Sequence, residues 1–279
     1  MQKILIVTNQ VKDPNLELTN RIEKYLTDKG VCVSCVIRNC DNEEDESKSL
    51  SNVDAAIVLG GDGSILQAAR EMASNNIPIL GVNVGTLGFL AETDPDGVEN
   101  AIDRILDGDY ELCKRMMLDG KVVTKDEVHV LPSALNDITI SRCGSLQILK
   151  FGIYVNDKFL CEVSADGIIV ATPTGSTGYN MSAGGPIVEP EADLILLTPI
   201  CAHTLNSRSI VLSAKDKVEV VVGSGRDGKT LMVQANSDGS DRFSMYTGDK
   251  LVVKRSIDTT SIIKLSDYSF LQTLNKKLE

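Results

Sequence analysis

The chain has 279 residues, 42% apolar and 24% charged, with a formal net charge of -11. That is enough for one large domain or two ordinary ones with proper cores, in a composition typical of soluble globular proteins. The acidic balance argues against nucleic acid and anionic membrane as partners, and no apolar run approaches the length of a membrane span.

Met1 to Val7 is too short for a signal peptide and reads as a first strand over residues 3–8; with no apolar run of membrane length, a cytosolic protein is expected. Asn15 to Lys29 has the pattern of an amphipathic helix, with Leu16, Ile22, Tyr25 and Leu26 toward the core and Gly30 as its stop. Residues 31–37 read as a second strand. The seven cysteines show no metal-ligand spacing, and the Cys32-x-x-Cys35 pair falls inside this strand. Strand residues three apart point to opposite faces, so buried, reduced thiols are expected rather than a redox pair or zinc. The polar, acidic run Asp41–Glu46 reads as a solvated loop.

The central stretch is Gly60-Gly61-Asp62-Gly63-Ser64. The β-branched run Val53–Leu59 before it reads as a buried strand. Ile65–Ala73 after it reads as a helix with Ile65, Ala69 and Met72 on one face. The glycines therefore occupy a strand-to-helix turn, with Ser64 placed to cap the helix. Such a turn lets a phosphate chain approach the backbone at the positive end of a helix. A carboxylate there would repel phosphate, so Asp62 needs a role such as accepting a proton or holding Mg²⁺. The alternative is a tight turn in which Asp62 only caps the helix. The spacing fits neither a Walker A loop nor a dinucleotide fingerprint.

Ile77–Val82 reads as a further strand. Alternating strands and helices imply a parallel sheet with its ligand at the carboxyl edge, where Asp62 lies. Gly81–Leu90, with three glycines, suggests a second close-packed loop on that edge, or an ordinary connection. Pro95–Leu106 reads as a helix. From residue 110 the pattern turns to short strands separated by Asp119-Gly120, Asn156-Asp157, Gly223-Ser224-Gly225 and Asp238-Gly239. The expected division is an α/β domain over 1–110 and an all-β domain over 111–265. A C-terminal helix over 266–279 is expected to pack back on the first domain.

Within the β-rich half, the strand Gly167–Ala171 runs into Thr172-Pro173-Thr174-Gly175-Ser176-Thr177-Gly178-Tyr179-Asn180. Its hydroxyls and exposed N–H groups can hold ribose and phosphate oxygens without net charge, and Tyr179 can stack or hydrogen-bond. Gly184-Gly185-Pro186 ends the segment. Upstream, Asn136-Asp137 at the head of a strand can grip an adenine edge or ribose hydroxyls, or form an Asx turn.

Gly-Gly-Asp-Gly is shared by a kinase superfamily that includes NAD kinases, ATP-dependent phosphofructokinases and diacylglycerol kinases. Together with Asn83–Leu90, Asn136-Asp137, Asp166-Gly167, Thr172–Tyr179 and Gly184-Gly185-Pro186, in this order across nearly the whole chain, it resembles bacterial NAD kinases. The resemblance implies a Rossmann-like N-terminal α/β domain with a parallel sheet, a C-terminal β-sandwich, a homodimer or homotetramer, and an active site between the domains. It implies transfer of the ATP γ-phosphoryl group to the 2′-hydroxyl of the adenosine ribose of NAD, with Mg²⁺ or another divalent cation held mainly by nucleotide phosphates and no protein metal site. Asp62 would be the base or hydroxyl-positioning group, and Gly60, Gly61 and Gly63 would line the phosphate site. Asn136 and Asp137 would hold adenosine, with Phe89 lining the pocket. Thr174, Thr177, Gly178, Tyr179, Asn180 and Ser182 would surround ribose and adenine, and Asp166 would meet the nicotinamide end, from a neighbouring subunit in one arrangement. His203 is expected to be structural, and His129 an ordinary strand residue.

The sequence departs from the family pattern at Ser64, where Thr is commoner, at Gly178, where Ala is commoner, and at Ser240, where Gln is frequent. Two other classes compete with this reading. A sugar-phosphate kinase of the same superfamily would need a cationic cluster, and none lies near the motifs; a lipid kinase would be expected to show a membrane-facing surface, which the acidic balance does not favour. A non-enzymatic nucleotide sensor would have no need of Asp62.

Overall fold

The computed structural model describes residues 1–38, 50–85, 88–144, 148–203, 208–225, 228–265 and 270–278. The acidic run Asp41–Glu46, Thr86-Leu87 of the second glycine loop, and Tyr268-Ser269 lie outside the described residues. The chain forms two compact units, Met1–Arg115 with Thr259–Glu279, and Met116–Asp258.

The first unit is built from β1 (Lys3–Asn9), α1 (Glu17–Asp28), β2 (Cys32–Arg38), β3 (Ala55–Gly60), α2 (Asp62–Ala73), β4 (Ile79–Asn83) and α3 (Val98–Asp107). Its strands pair in parallel in the order β2-β1-β3-β4. Every residue of β3 and β4 is buried, as expected for strands covered on both faces. The core joins Ile4, Ile6, Ile57 and Leu59 to Ile22 and Leu26 of α1 and Ile102 of α3. The chain passes from β1 to β2 on one side, then places β3 on the other side of β1. That reversal makes the carboxyl ends of β1 and β3 the switch point where open α/β sheets bind ligands.

Three expectations for this unit are corrected. Helix α1 begins at Glu17, and Leu16 stands outside it in the left-handed region at φ 55°. Asp13 supplies the missing cap, accepting from the Thr19 N–H at 2.9 Å and the Leu18 N–H at 3.3 Å. Cys32 and Cys35 are exposed, because β2 is the edge strand of the sheet. Ser64 does not cap α2, which starts two residues earlier with Gly61 as its boundary residue.

The second unit is antiparallel. Its strands are β5 (Glu111–Val123, which begins in the first unit), β6 (Val128–Val130), β7 (Asp137–Arg142), β8 (Leu149–Val155), β9 (Lys158–Ala165), β10 (Gly167–Ala171), β11 (Leu194–Ile200), β12 (Ile210–Ser213), β13 (Val218–Val222), β14 (Met232–Ser237), β15 (Ser240–Tyr246) and β16 (Lys250–Lys264). One sheet runs β12-β11-β10-β7-β14-β15. The other contains β16-β13-β8-β9. Ile138, Ile168 and Val233 of the former share one core with Phe151, Val220 and Leu251 of the latter, which makes this unit a β-sandwich. The Asn156-Asp157 and Asp238-Gly239 turns all have positive φ, as two-residue hairpin turns require.

Asp119-Gly120 is not a turn, because β5 runs straight through it. A Cβ at Gly120 would lie 2.7 Å from the Ile138 side chain, so this glycine serves close packing. The hairpin comes later, where the Thr124 N–H donates to the Glu127 carbonyl at 3.0 Å. Strand β16, expected as two strands, is continuous for 15 residues. Residues 250–253 pair with β13 in the second unit, and Ile262 pairs with Ile79 in the first. The last helix, α5 (Phe270–Leu278), also belongs to the first unit.

Candidate active site

In the first unit the glycine turn lies at the sheet's switch point. Asn9, at the end of β1, donates from Nδ2 to Ser64 Oγ at 3.1 Å, tying the turn to the neighbouring strand. A side chain at Gly60 would overlap Ser64, so that glycine permits close packing. Gly61 and Gly63 differ: a Cβ on either would meet open space, and their backbone is free to be approached.

Asp62 is in the first turn of α2, where the helix dipole favours a carboxylate. Its Oδ2 accepts from the Phe89 N–H at 2.8 Å, and its Oδ1 from the Leu90 N–H at 3.1 Å. The carboxylate is so close to Gly88 that any Cβ there would overlap it. Asp62 is therefore fixed by the second glycine loop. Each oxygen keeps a further lone pair for a ligand proton. Phe89 is half-buried, 6.4 Å from the Phe270 ring between centroids, with the Lys277 ammonium 3.7 Å from its own centroid.

In the second unit β7 and β10 are adjacent, with Asp137 opposite Ala171. That register sets Asn136 beside the hydroxyl-rich segment. The Thr172 N–H donates to the Asn136 carbonyl at 2.8 Å, and the Gly175 backbone packs so tightly on that carbonyl that no side chain fits. A Cβ at Gly178 would come within 3.1 Å of Asn136 Nδ2, so glycine here leaves the Asn136 amide uncrowded. Thr174 is buried, and its Oγ1 has no hydrogen-bond partner among the described residues. Thr177 Oγ1 donates to the Thr174 carbonyl at 3.3 Å. Ser182, at the end of the short helix α4 (Tyr179–Ser182), is exposed.

Tyr179 is 45% exposed and draws the rest together. Burial raises its phenol pKa, and the neighbouring Cys201, Asp137 and Asp166 push it in the same direction. Asp137 is buried, and burial, reinforced by the charge of Asp238, raises its pKa to about 7. Asn180 has a different position from its neighbours. It is fully buried, donating from Nδ2 to the carbonyls of Ser176 and Pro186 and accepting from Thr198 Oγ1 at 2.7 Å. It frames the segment from beneath.

Four residues of these clusters have no ligand-binding role assigned from the sequence alone. Asp238 accepts from the N–H groups of Leu135, Asn136 and Asp137 at 2.8–3.0 Å, and so sets the backbone of the Asn-Asp pair. Arg142 Nη2 and His203 Nε2 lie 3.5 and 3.4 Å from the Asp166 carboxylate. The His203 side chain is 42% exposed and faces the Asp166 carboxylate. Lys277 is the fourth. Only the Asp238-Gly239 turn carried any local signal.

The comparisons with known proteins bear on both units. Residues 4–110 match the ATP-NAD kinase N-terminal domain and residues 135–265 the ATP-NAD kinase C-terminal domain. The chain belongs to the ATP-NAD kinase family. An NAD kinase of Agathobacter rectalis is 42% identical over all of this chain and 99% of its own length. One of Lachnospira eligens is 40% identical over the whole of both. Among solved structures, the yeast NADH kinase complexed with NADH superposes with a TM-score of 0.86 at 24% identity, covering all of this chain and 87% of that one. The Archaeoglobus fulgidus NAD kinase in complex with ATP gives 0.76 at 24% identity, covering 99% and 98%. At that identity the two structures speak to the fold, which in each unit is that of this kinase family.

Among the described residues no group of three or more His, Cys, Asp or Glu side chains could hold a metal ion. No described helix is long and apolar enough to cross a membrane.

Proposed function

We propose that this chain transfers the γ-phosphoryl group of ATP to the 2′-hydroxyl of the adenosine ribose of NAD, giving NADP and ADP. The observation that carries the reading is Asp62, a carboxylate fixed by two backbone N–H groups beside the open glycines 61 and 63 at the sheet's switch point. The full-length likeness to bacterial NAD kinases supports the substrate pair.

In this reading the ribose oxygen attacks the γ-phosphorus, the bond from that phosphorus to the β,γ-bridging oxygen breaks with ADP as leaving group, and the hydroxyl proton passes to Asp62. The transition state needs positioning and charge stabilisation more than covalent help. Gly61 and Gly63 admit the phosphate chain to the backbone. Asn136, Thr174, Thr177 and Tyr179 orient the adenosine half of NAD, and Asp137 is buried beside them. Asp166, flanked by Arg142 and His203, takes the nicotinamide end. A divalent cation such as Mg²⁺ would neutralise phosphate charge. Asp62 lies within the turn itself and already accepts two N–H groups, which suits an ion held mainly by the nucleotide. The protein would be cytosolic and a homodimer or homotetramer.

The test is NADP formation from ATP, NAD and MgCl₂, followed by a coupled NADP-specific dehydrogenase. Absence of NADP above the enzyme-free blank, from protein that is folded by circular dichroism, would sink the reading.

A further inference from the structure

We propose that Lys277, on the last helix, is a phosphate-binding residue of the candidate active site, reaching the phosphate chain of the bound nucleotide. The proposal rests on the kinase reading above and adds a residue to it. Three observations carry it, all within the first unit. The Lys277 ammonium lies 3.7 Å from the Phe89 ring centroid. The Phe89 N–H in turn holds the Asp62 carboxylate, so ammonium, ring and acid form one cluster. Lys277 and Asp62 are close enough for their charges to interact, yet no hydrogen bond or ion pair joins them.

An ammonium over an aromatic face is stabilised by the ring quadrupole while keeping its donors directed outward. Lys277 is also partly buried, and burial lowers its pKa against the opposing influence of Asp62. Among the described residues no carboxylate lies within ion-pair distance of the Lys277 ammonium, so its donors are open to a bound anion. The nearby turn offers Gly61 and Gly63 with open space at their Cβ positions, and Asp62 as a fixed negative charge. A phosphate chain at that turn gains from a protein cation that offsets Asp62, alongside any divalent ion it carries, and the last helix brings Lys277 there. The plain alternative is that Lys277 only complements the carboxyl end of α5 and caps the Phe89 ring.

Kinetics and footprinting on the full chain separate the two. Lys277→Gln is expected to raise the KM for ATP by about tenfold, the scale of one charge-assisted hydrogen bond, with the KM for NAD within about twofold of wild type. Lys277→Arg should restore most of the loss, and Lys276→Gln, which removes the same charge next door, should not reproduce it. A tenfold effect on NAD rather than ATP would still place Lys277 on a phosphate chain, that of the dinucleotide. Unchanged KM values for both substrates, with only a lowered melting temperature, would overturn the proposal. Should the variants fold poorly, acetylation of wild-type Lys277 read by mass spectrometry decides the same question. Protection by ATP or NAD supports the role, and equal labelling with and without either nucleotide rejects it. If the wild-type protein makes no NADP, the kinase reading fails on its own, while protection by ATP still reports on Lys277.

Discussion

Asp62 is held by its neighbours more tightly than a helix cap needs to be. Both carboxylate oxygens accept backbone N–H groups from the loop at Phe89 and Leu90. Asparagine cannot copy this, since its NH₂ would face one of the two donors. Asp62→Asn is therefore expected to lose a hydrogen bond to a charged acceptor, about 1.5–3 kcal/mol of stability. As a proton acceptor it should also lose roughly 10²–10⁴-fold in kcat. Gly88→Ala separates position from charge. It keeps the acid but drives a methyl group into the space the carboxylate occupies, so kcat should fall while stability drops by about 1–3 kcal/mol. Turnover, melting temperature and NAD affinity by calorimetry on both variants test this. Near-native turnover in a folded Asp62→Asn protein would remove Asp62 from the chemistry.

The segment from Thr172 to Pro186 divides into residues that face outward and residues that hold it up. Tyr179→Phe and Thr177→Val each remove a neutral hydroxyl. They should raise the KM for NAD modestly, by the roughly 0.5–1.5 kcal/mol of one hydrogen bond; Tyr179→Phe should leave the melting temperature nearly unchanged, and Thr177→Val should lower it slightly because its bond to the Thr174 carbonyl is also lost. Asn180→Ala should do the reverse. It strands the carbonyls of Ser176 and Pro186 in a buried site and should lower stability by roughly 1–3 kcal/mol or more. Unchanged NAD KM with collapsed kcat in the first pair would reject the assignment. The head of β7 carries a pH signature. Asp137 has a folded pKa of about 7, above the ordinary unfolded value, because burial and Asp238 disfavour its charge. The folded state therefore binds more protons than the unfolded state across that interval, and stability from this group falls as pH rises from about 4 to about 7. The melting temperature of the wild type should drop relative to that of Asp137→Asn between pH 5 and pH 8. Parallel curves for the two proteins would show that Asp137 does not carry the effect.

For the molecule as a whole, assembly carries a definite expectation. The second unit leaves large apolar side chains on its surface, including Val130 at 80%, Ile257 at 94% and Phe159 at 60% exposure. Exposed apolar residues scattered singly are ordinary, so the expectation of an oligomer rests on the likeness to the kinase family and not on these residues. The net charge of -11 disfavours non-specific association, so an oligomer would have to be specific. Light scattering should give a mass of at least two chains. Full activity in a preparation that is monomeric at the assay concentration would refute the proposed dimer or tetramer.

Parts of the fold whose physics is local are legible in the residues alone. The β-branched run before Gly60, the glycines themselves and the helix formers after Ser64 dictate a strand-turn-helix, and the hydroxyls of Thr172–Tyr179 declare their chemistry without reference to any other segment. The paired turns at Asn156-Asp157 and Asp238-Gly239 were legible for the same reason, since their φ values depend on residue type. Tertiary structure decided what depends on a distant segment. Asp62 finds its donors 27 and 28 residues further on, and Asp238 finds its own more than 100 residues back. Asp119-Gly120 has a turn's composition, but Ile138 packing on the glycine keeps the strand straight. Cys32 and Cys35 lie in a strand with the composition of an interior one, and only the order β2-β1-β3-β4 puts it at the edge. Backbone donors carry no side-chain signature and edge position follows from topology, so neither leaves a trace in residue spacing. Lys277 reaches Phe89 only because the last helix belongs to the first unit, and contacts between segments so far apart in the chain have no period to read.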